Sequence, residues 1–248
     1  MKLRKVRLIV LAAIALASHC NAAVIALPNA SFESPDFTDG SGLAHIDPGL
    51  VFGWNWTGPV NNTQFGIIDP NDFRFLGTTG NGVNRLPSPA EGYQYAFLGG
   101  SAQSVSSIQN PAPLATIQPL ARYTLDIAAI NEYAQNTGSG LGTLQLSFLA
   151  GPNLVASSSI SYSTFAFGQI QLLETSFTTG DSTDLRVGQD LNVRVTYTAD
   201  FDLGSNGVFD NLVLTATPIP EPGSFALLLA TSIFWLSGLL PQRRKLGA

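Results

Sequence analysis

Leu191, Val193, Val195 and Tyr197 alternate with Asn192, Arg194 and Thr196. A two-residue period of this kind puts one face of a strand in a core and the other in water. Tyr123, Leu125, Ile127 and Ala129 repeat the pattern, as do Leu144, Leu146 and Phe148. The spacing of three to four residues that marks an amphipathic helix is missing from the central part of the chain. Further strands are expected at 24–27, 52–56, 94–98, 101–107, 154–160, 170–178 and 208–216. Turn-forming runs such as Gly138-Ser139-Gly140, Gly151-Pro152-Asn153 and Gly180-Asp181-Ser182 separate them. Many short strands with regular breaks predict an all-β chain, folded as one antiparallel β-sandwich over residues 23–217. Residues 34–50 and 80–90 read as irregular loops. Phe209 and Leu212 differ in parity, so both reach the core only if the last strand bulges near Asp210 and Asn211.

The two ends have a different character. Lys2, Arg4, Lys5 and Arg7 precede a short apolar run at 8–17, and small residues surround a cleavage point between Ala22 and Ala23. This is the pattern of a secretion signal, expected at 1–22; acylation of Cys20 is the alternative. Cleavage after Ala22 removes the only cysteine, so the mature chain has no internal disulfide. At the other end, residues 225–240 carry no charge, and Arg243, Arg244 and Lys245 follow. As a helix this run spans roughly 24 Å, enough to cross a bilayer with its flanks. A transmembrane helix is expected at about 224–240, with the basic end in the cytoplasm and the body outside.

Between residues 23 and 217 five arginines face sixteen carboxylates, and no lysine is present. A body this anionic repels nucleic acid, whose binding depends on neutralising phosphates. It favours solubility and divalent cations.

Pro220, Glu221 and Pro222, then the apolar span, then Arg243 and Arg244 resemble the PEP-CTERM sorting signal, here 218–248. The resemblance implies an exosortase as partner after the secretion translocon, with the inner membrane as a way station. It places the processed protein at the cell surface or outside the cell, in a Gram-negative host that secretes exopolysaccharide. Two further islands, Asn29-Ala30-Ser31-Phe32-Glu33 with Gly53-Trp54 and Phe209-Asp210-Asn211-Leu212, resemble the opening and closing segments of galactose-binding-like jelly-roll domains. These include carbohydrate-binding modules. Residues 93–98, 120–125 and 188–193 match a pattern of secreted PEP-CTERM proteins. The jelly-roll resemblance implies that Glu33 and Asp210 lie together and hold a structural calcium, completed by carbonyl oxygens; the alternative is that Asp210 and Asn211 serve only the bulge.

Trp54 and Trp56 share one strand face. Aromatic faces stack on sugar rings, so Trp56, Tyr93 and Tyr95 are candidates for a sugar platform, while Trp54 is expected to fill the core. Catalytic constellations are scarce. The mature body has one histidine, His45, and neither cysteine nor lysine, so a histidine-rich zinc site cannot form within one chain. No Gly-x-Ser-x-Gly elbow accompanies His45. Glu91, Glu132 and Glu174 leave carboxylate chemistry open without pairing any two. The sequence therefore predicts a noncatalytic exported protein that binds glycan in exopolysaccharide or biofilm matrix. A purely structural matrix protein and a glycoside hydrolase are the alternatives.

Overall fold

The computed structural model describes residues 21–34, 50–51, 53–58, 65–68, 94–100, 104–131, 142–166, 169–200 and 205–220. Residues 23–216 form one compact unit. The expected secretion signal, the apolar run at 225–240 and the basic cluster fall outside the described residues, as do Tyr93, His45, Glu91 and Glu132. Among the described residues no helix is long and apolar enough to cross a membrane.

The described chain is all β, with one short 3-10 turn at Tyr162–Thr164. Its strands are β1 (Ala23–Ile25), β2 (Leu50–Val51), β3 (Trp54–Thr57), β4 (Phe65–Ile68), β5 (Tyr95–Gly100), β6 (Val105–Gln109), β7 (Ala115–Thr116), β8 (Ala121–Ile130), β9 (Gly142–Ala150), β10 (Asn153–Ser161), β11 (Ile170–Thr178), β12 (Asp190–Ala199) and β13 (Ser205–Pro218). They build two antiparallel sheets. Sheet A runs β11-β8-β13-β5-β4 with β1 beside β13, and sheet B runs β10-β9-β12-β6-β3-β2 with β7 beside β12.

The alternation read from the sequence is the alternation that packs the sandwich. Tyr123, Leu125, Ile127 and Ala129 of β8 turn inward against Leu144, Leu146 and Phe148 of β9 and against Leu191, Val193, Val195 and Tyr197 of β12. Burial of each such side chain contributes about 1.5–3 kcal/mol. Tyr123 stacks on Phe177 with centroids 4.9 Å apart, and Phe148 meets the same ring edge-on. Buried amides close the remaining gaps. Asn131 donates from Nδ2 to the carbonyls of Tyr162 and Phe165, and Tyr162 donates its hydroxyl to the Val208 carbonyl.

Two features of β13 follow from its sequence. Phe209 and Leu212 are both buried, and Asn211 between them has φ 50°, so the strand bulges where the parity of its apolar residues requires. Asparagine suits that left-handed position because its short amide tolerates positive φ. The close approach of Gly207 and Gly142 to the Tyr197 ring leaves no room for a Cβ at either position. Three strands escaped the sequence reading: β2, β4 and β7 are too short to show a period.

Candidate functional site

Alternation also gives sheet A a second face, turned away from sheet B. On β5, Ala96 and Leu98 join the main core while Tyr95 and Phe97 do not. On β8, Ile127 and Ala129 point inward and Ala128 and Ile130 outward; on β13, Phe209 points inward and Val208 outward. Tyr95, Phe97, Ala128, Ile130 and Val208 form their own buried cluster, with Ile170 of β11 packed beside it. An outer sheet face is ordinarily polar, so a buried apolar cluster with two aromatic rings on this face is the candidate floor of a site.

Carboxylates border the floor. Asp210 follows Val208 on the same face by alternation and is fully buried. The pairing of Phe209 with Ala96 places Asp210 one antiparallel step on, at Tyr95. On β8, Asp126 follows the row of Ala128 and lies directly across from Glu174 of β11. Burial, and then the charge of Glu174, push the Asp126 carboxyl above the ordinary carboxylate range. Asp126 Oδ1 is buried and accepts no hydrogen bond. Arg122 reaches Glu174 at 3.9 Å and donates to Ser176 Oγ, but not to Asp126.

The opening and closing segments meet on the core side of β13. Phe32 packs edge-on against Phe209 with centroids 5.5 Å apart, and the Leu212 N–H donates to the Ala30 carbonyl. The Gln94 N–H donates to Glu33 Oε1 at 2.9 Å, which brings Glu33 to the start of β5, beside the strand that bears Asp210. Phe32 holds φ 54°, a strained position for an aromatic residue that the packing around it sustains. No group of three or more histidine, cysteine, aspartate or glutamate side chains gathers among the described residues.

Trp56 cannot serve the expected sugar platform, and Tyr93 lies outside the described residues. Trp56, the tryptophan of the expected platform, is 7% exposed. Both Trp54 and Trp56 turn into the core from β3, while Asn55 and Thr57 take the outside. Their shared face is the inner one, so neither ring can lie under a sugar. Pro220 is exposed beyond β13, and the rest of the sorting motif lies outside the described residues.

The pattern of one family, described as HpiC1-like, HpiC1 cyclase, matches residues 23–215. The chain belongs to the HpiC1-like cyclase family. Membership overturns the expectation of a noncatalytic, glycan-binding matrix protein. The scarcity of histidine, cysteine and lysine argued for that expectation, yet ring closure needs only a placed acid and a shaped apolar surface. Solved structures agree on the fold. A Stig cyclase from Fischerella sp. TAU, in complex with (3Z)-3-(1-methyl-2-pyrrolidinylidene)-3H-indole, superposes with a TM-score of 0.62 at 19% identity, covering 81% of this chain and 100% of that one. A cyclase from the same source, in complex with 4-(1H-indol-3-yl)butan-2-one, gives 0.60 at 20% identity, covering 80% and 100%. A carbohydrate-binding module in complex with β-1,4-galactotriose is also similar, at a TM-score of 0.42 and 12% identity over 76% of this chain and 95% of that one. No curated protein matches.

Proposed function

We propose that this HpiC1-like cyclase closes a ring in an apolar substrate bearing an indole or a similar flat ring system, on the outer face of sheet A. The observation that carries the reading is the buried floor of Tyr95, Phe97, Ala128, Ile130 and Val208, bordered by the fully buried carboxyl of Asp210. The indole compounds bound to the Fischerella cyclases supply the substrate class. A flat ring seated on the floor is shielded from water, which prolongs the life of a cation. Asp210 gives its proton to a basic atom of the substrate, and the adjoining carbon becomes electrophilic. A π bond of the same molecule attacks it, forming the new ring bond. Loss of a proton from the resulting cation to the Asp210 carboxylate restores the acid, so the reaction is an isomerisation and needs no oxidant or leaving group.

The test is turnover of an indole-bearing polyene by the protein and by Asp210→Asn. A loss of about 10²–10⁴-fold at unchanged melting temperature is expected, the usual contribution of a placed acid. Unimpaired turnover would move the chemistry elsewhere.

A second reading of Asp210 rests on the Glu33–Gln94 hydrogen bond, which draws Glu33 toward the same end of β5 and β13. In that reading the two carboxylates, with nearby carbonyl oxygens, hold a structural calcium. The readings separate cleanly. Calcium binding requires the melting temperature to fall with chelator and with Asp210→Asn alike, whereas an acid requires activity alone to fall.

The connectivity supports a jelly-roll. Taking β5, β6 and β8 to β13 in order, sheet A reads sixth, third, eighth and first, and sheet B reads fifth, fourth, seventh and second. We further propose that the enzyme works outside the cytoplasm. The matched family region covers residues 23–215, so the expected secretion signal (1–22) and PEP-CTERM tail (218–248) lie outside it, which supports this reading. The secretion translocon and an exosortase are then its partners in export, with the inner membrane holding the tail before it is cut. Mass spectrometry of the termini of the protein from surface and medium fractions tests this: intact ends would refute it.

A further inference from the structure

We infer that Tyr162 is a positioning residue for the proposed acid: its hydroxyl holds the β13 backbone two residues before Asp210. The inference rests on the proposed site and names what keeps its acid in place. Tyr162 opens the 3-10 turn that follows β10 of sheet B, and it is buried. Its ring meets Tyr197 edge-on with centroids 6.1 Å apart, and Phe165 at 5.6 Å. The hydroxyl ends on the Val208 carbonyl of sheet A, at 2.6 Å. A phenylalanine would fill nearly the same volume without burying a hydroxyl. What the tyrosine adds is a hydrogen bond from one sheet to the other.

Both ends of that link are anchored. Asn131, which follows Ile130 of the floor, donates from Nδ2 to the Tyr162 carbonyl at 2.9 Å and to the Phe165 carbonyl at 2.6 Å. Its N–H donates to the Gln169 carbonyl at 3.0 Å. One turn is thus tied to the end of β8 through Asn131 and to β13 through Tyr162, and those two strands supply Ile130 and Val208 to the floor. Gly207, just before Val208, lies against the same Tyr197 ring on which Tyr162 packs. Beyond Asp210, Asn211 holds φ 50° at the bulge. The Asp210 carboxyl is therefore set between an anchored carbonyl upstream and a left-handed residue downstream. A proton donor needs such support, because a shift of about 1 Å in a reacting group can cost about 10²-fold in rate.

The test is turnover of the same indole-bearing polyene by the full-length protein, Tyr162→Phe, Phe165→Leu and Asp210→Asn, with melting temperatures measured alongside. Phe165→Leu changes the packing of the Tyr162 ring and keeps its hydroxyl. For Tyr162→Phe the expected result is a fall in kcat of roughly tenfold or more with KM changed less than about twofold, since the floor that binds the ring is kept. Phe165→Leu should lower the melting temperature and hold kcat within about twofold, as a residue that only packs would. Unchanged kcat in Tyr162→Phe, or an equal fall in Tyr162→Phe and Phe165→Leu, overturns the inference, and an inactive Asp210→Asn then leaves the site standing. Full turnover by Asp210→Asn, or none by the unsubstituted protein, overturns the inference together with the site.

Discussion

Gly207 of β13 presses its Cα against the ring of Tyr197, which crosses from β12 in the opposite sheet, and a Cβ on Gly207 would overlap that ring. Gly142 meets the same side chain at its hydroxyl end. Two glycines thus admit one large ring at the edge of the sandwich, one strand turn from Val208 and Asp210.

Gly207→Ala should destabilise the protein by about 1–3 kcal/mol, the usual result of overpacking a filled core. Tyr197→Phe should not relieve it, because the contact is to the ring and not to its oxygen. Urea unfolding of the single and double variants checks both statements.

Trp56→Ala should act through stability. The ring is buried beside Ile108, its cross-strand partner on β6, and its removal should cost about 3–5 kcal/mol. A variant that keeps its melting temperature but loses ligand affinity would restore the discarded platform.

Asn211→Val should cost about 1–2 kcal/mol, because a β-branched residue is strained at φ 50°. Asn211→Gly keeps the backbone conformation and should cost less than Asn211→Val, losing only the contacts of the amide. Thermal unfolding of the pair distinguishes a bulge held by backbone conformation from one held by the asparagine amide.

Asp126→Asn should raise the melting temperature at pH 7 and leave it unchanged near pH 3. The folded carboxyl titrates above its unfolded value, so the protonated form is the one that folding favours. Below the unfolded pKa both states hold the proton and no penalty exists. As pH rises through the unfolded and then the folded pKa, the penalty appears in full, and asparagine removes it. Melting curves across pH 3–7 measure the difference, which partial exposure keeps small.

The sandwich was legible because its long strands bury one face each. β11 occupies the expected residues 170–178, and the bulge at Asn211 follows from the parity of Phe209 and Leu212. The shared face of Trp54 and Trp56 was legible too, but the sequence could not say which side of sheet B it occupied. The floor was harder to see. Tyr95-Ala96-Phe97-Leu98 is apolar on both faces, a pattern that reads equally as a strand buried between layers. The run Ile127-Ala128-Ala129-Ile130 carries the same ambiguity. Asp210 stands out in the sequence only through a resemblance, and the acid role proposed for it has no sequence signal because a lone carboxylate has no motif. Asp126 and Glu174 meet only through the register of β8 and β11, forty-eight residues apart in sequence.

The position of β13 between β8 and β5 bears on how the chain reaches its final state. The strand synthesised last is the one that knits sheet A together. Until it arrives, β11 with β8 and β5 with β4 are separate fragments, and Ala96, Leu98, Leu125 and Ile127 remain wet. Contacts between segments so distant along the chain make assembly slow. A polypeptide passing end-first through a pore would stay slack over nearly its whole length, ratcheting shut only once its final β segment had emerged.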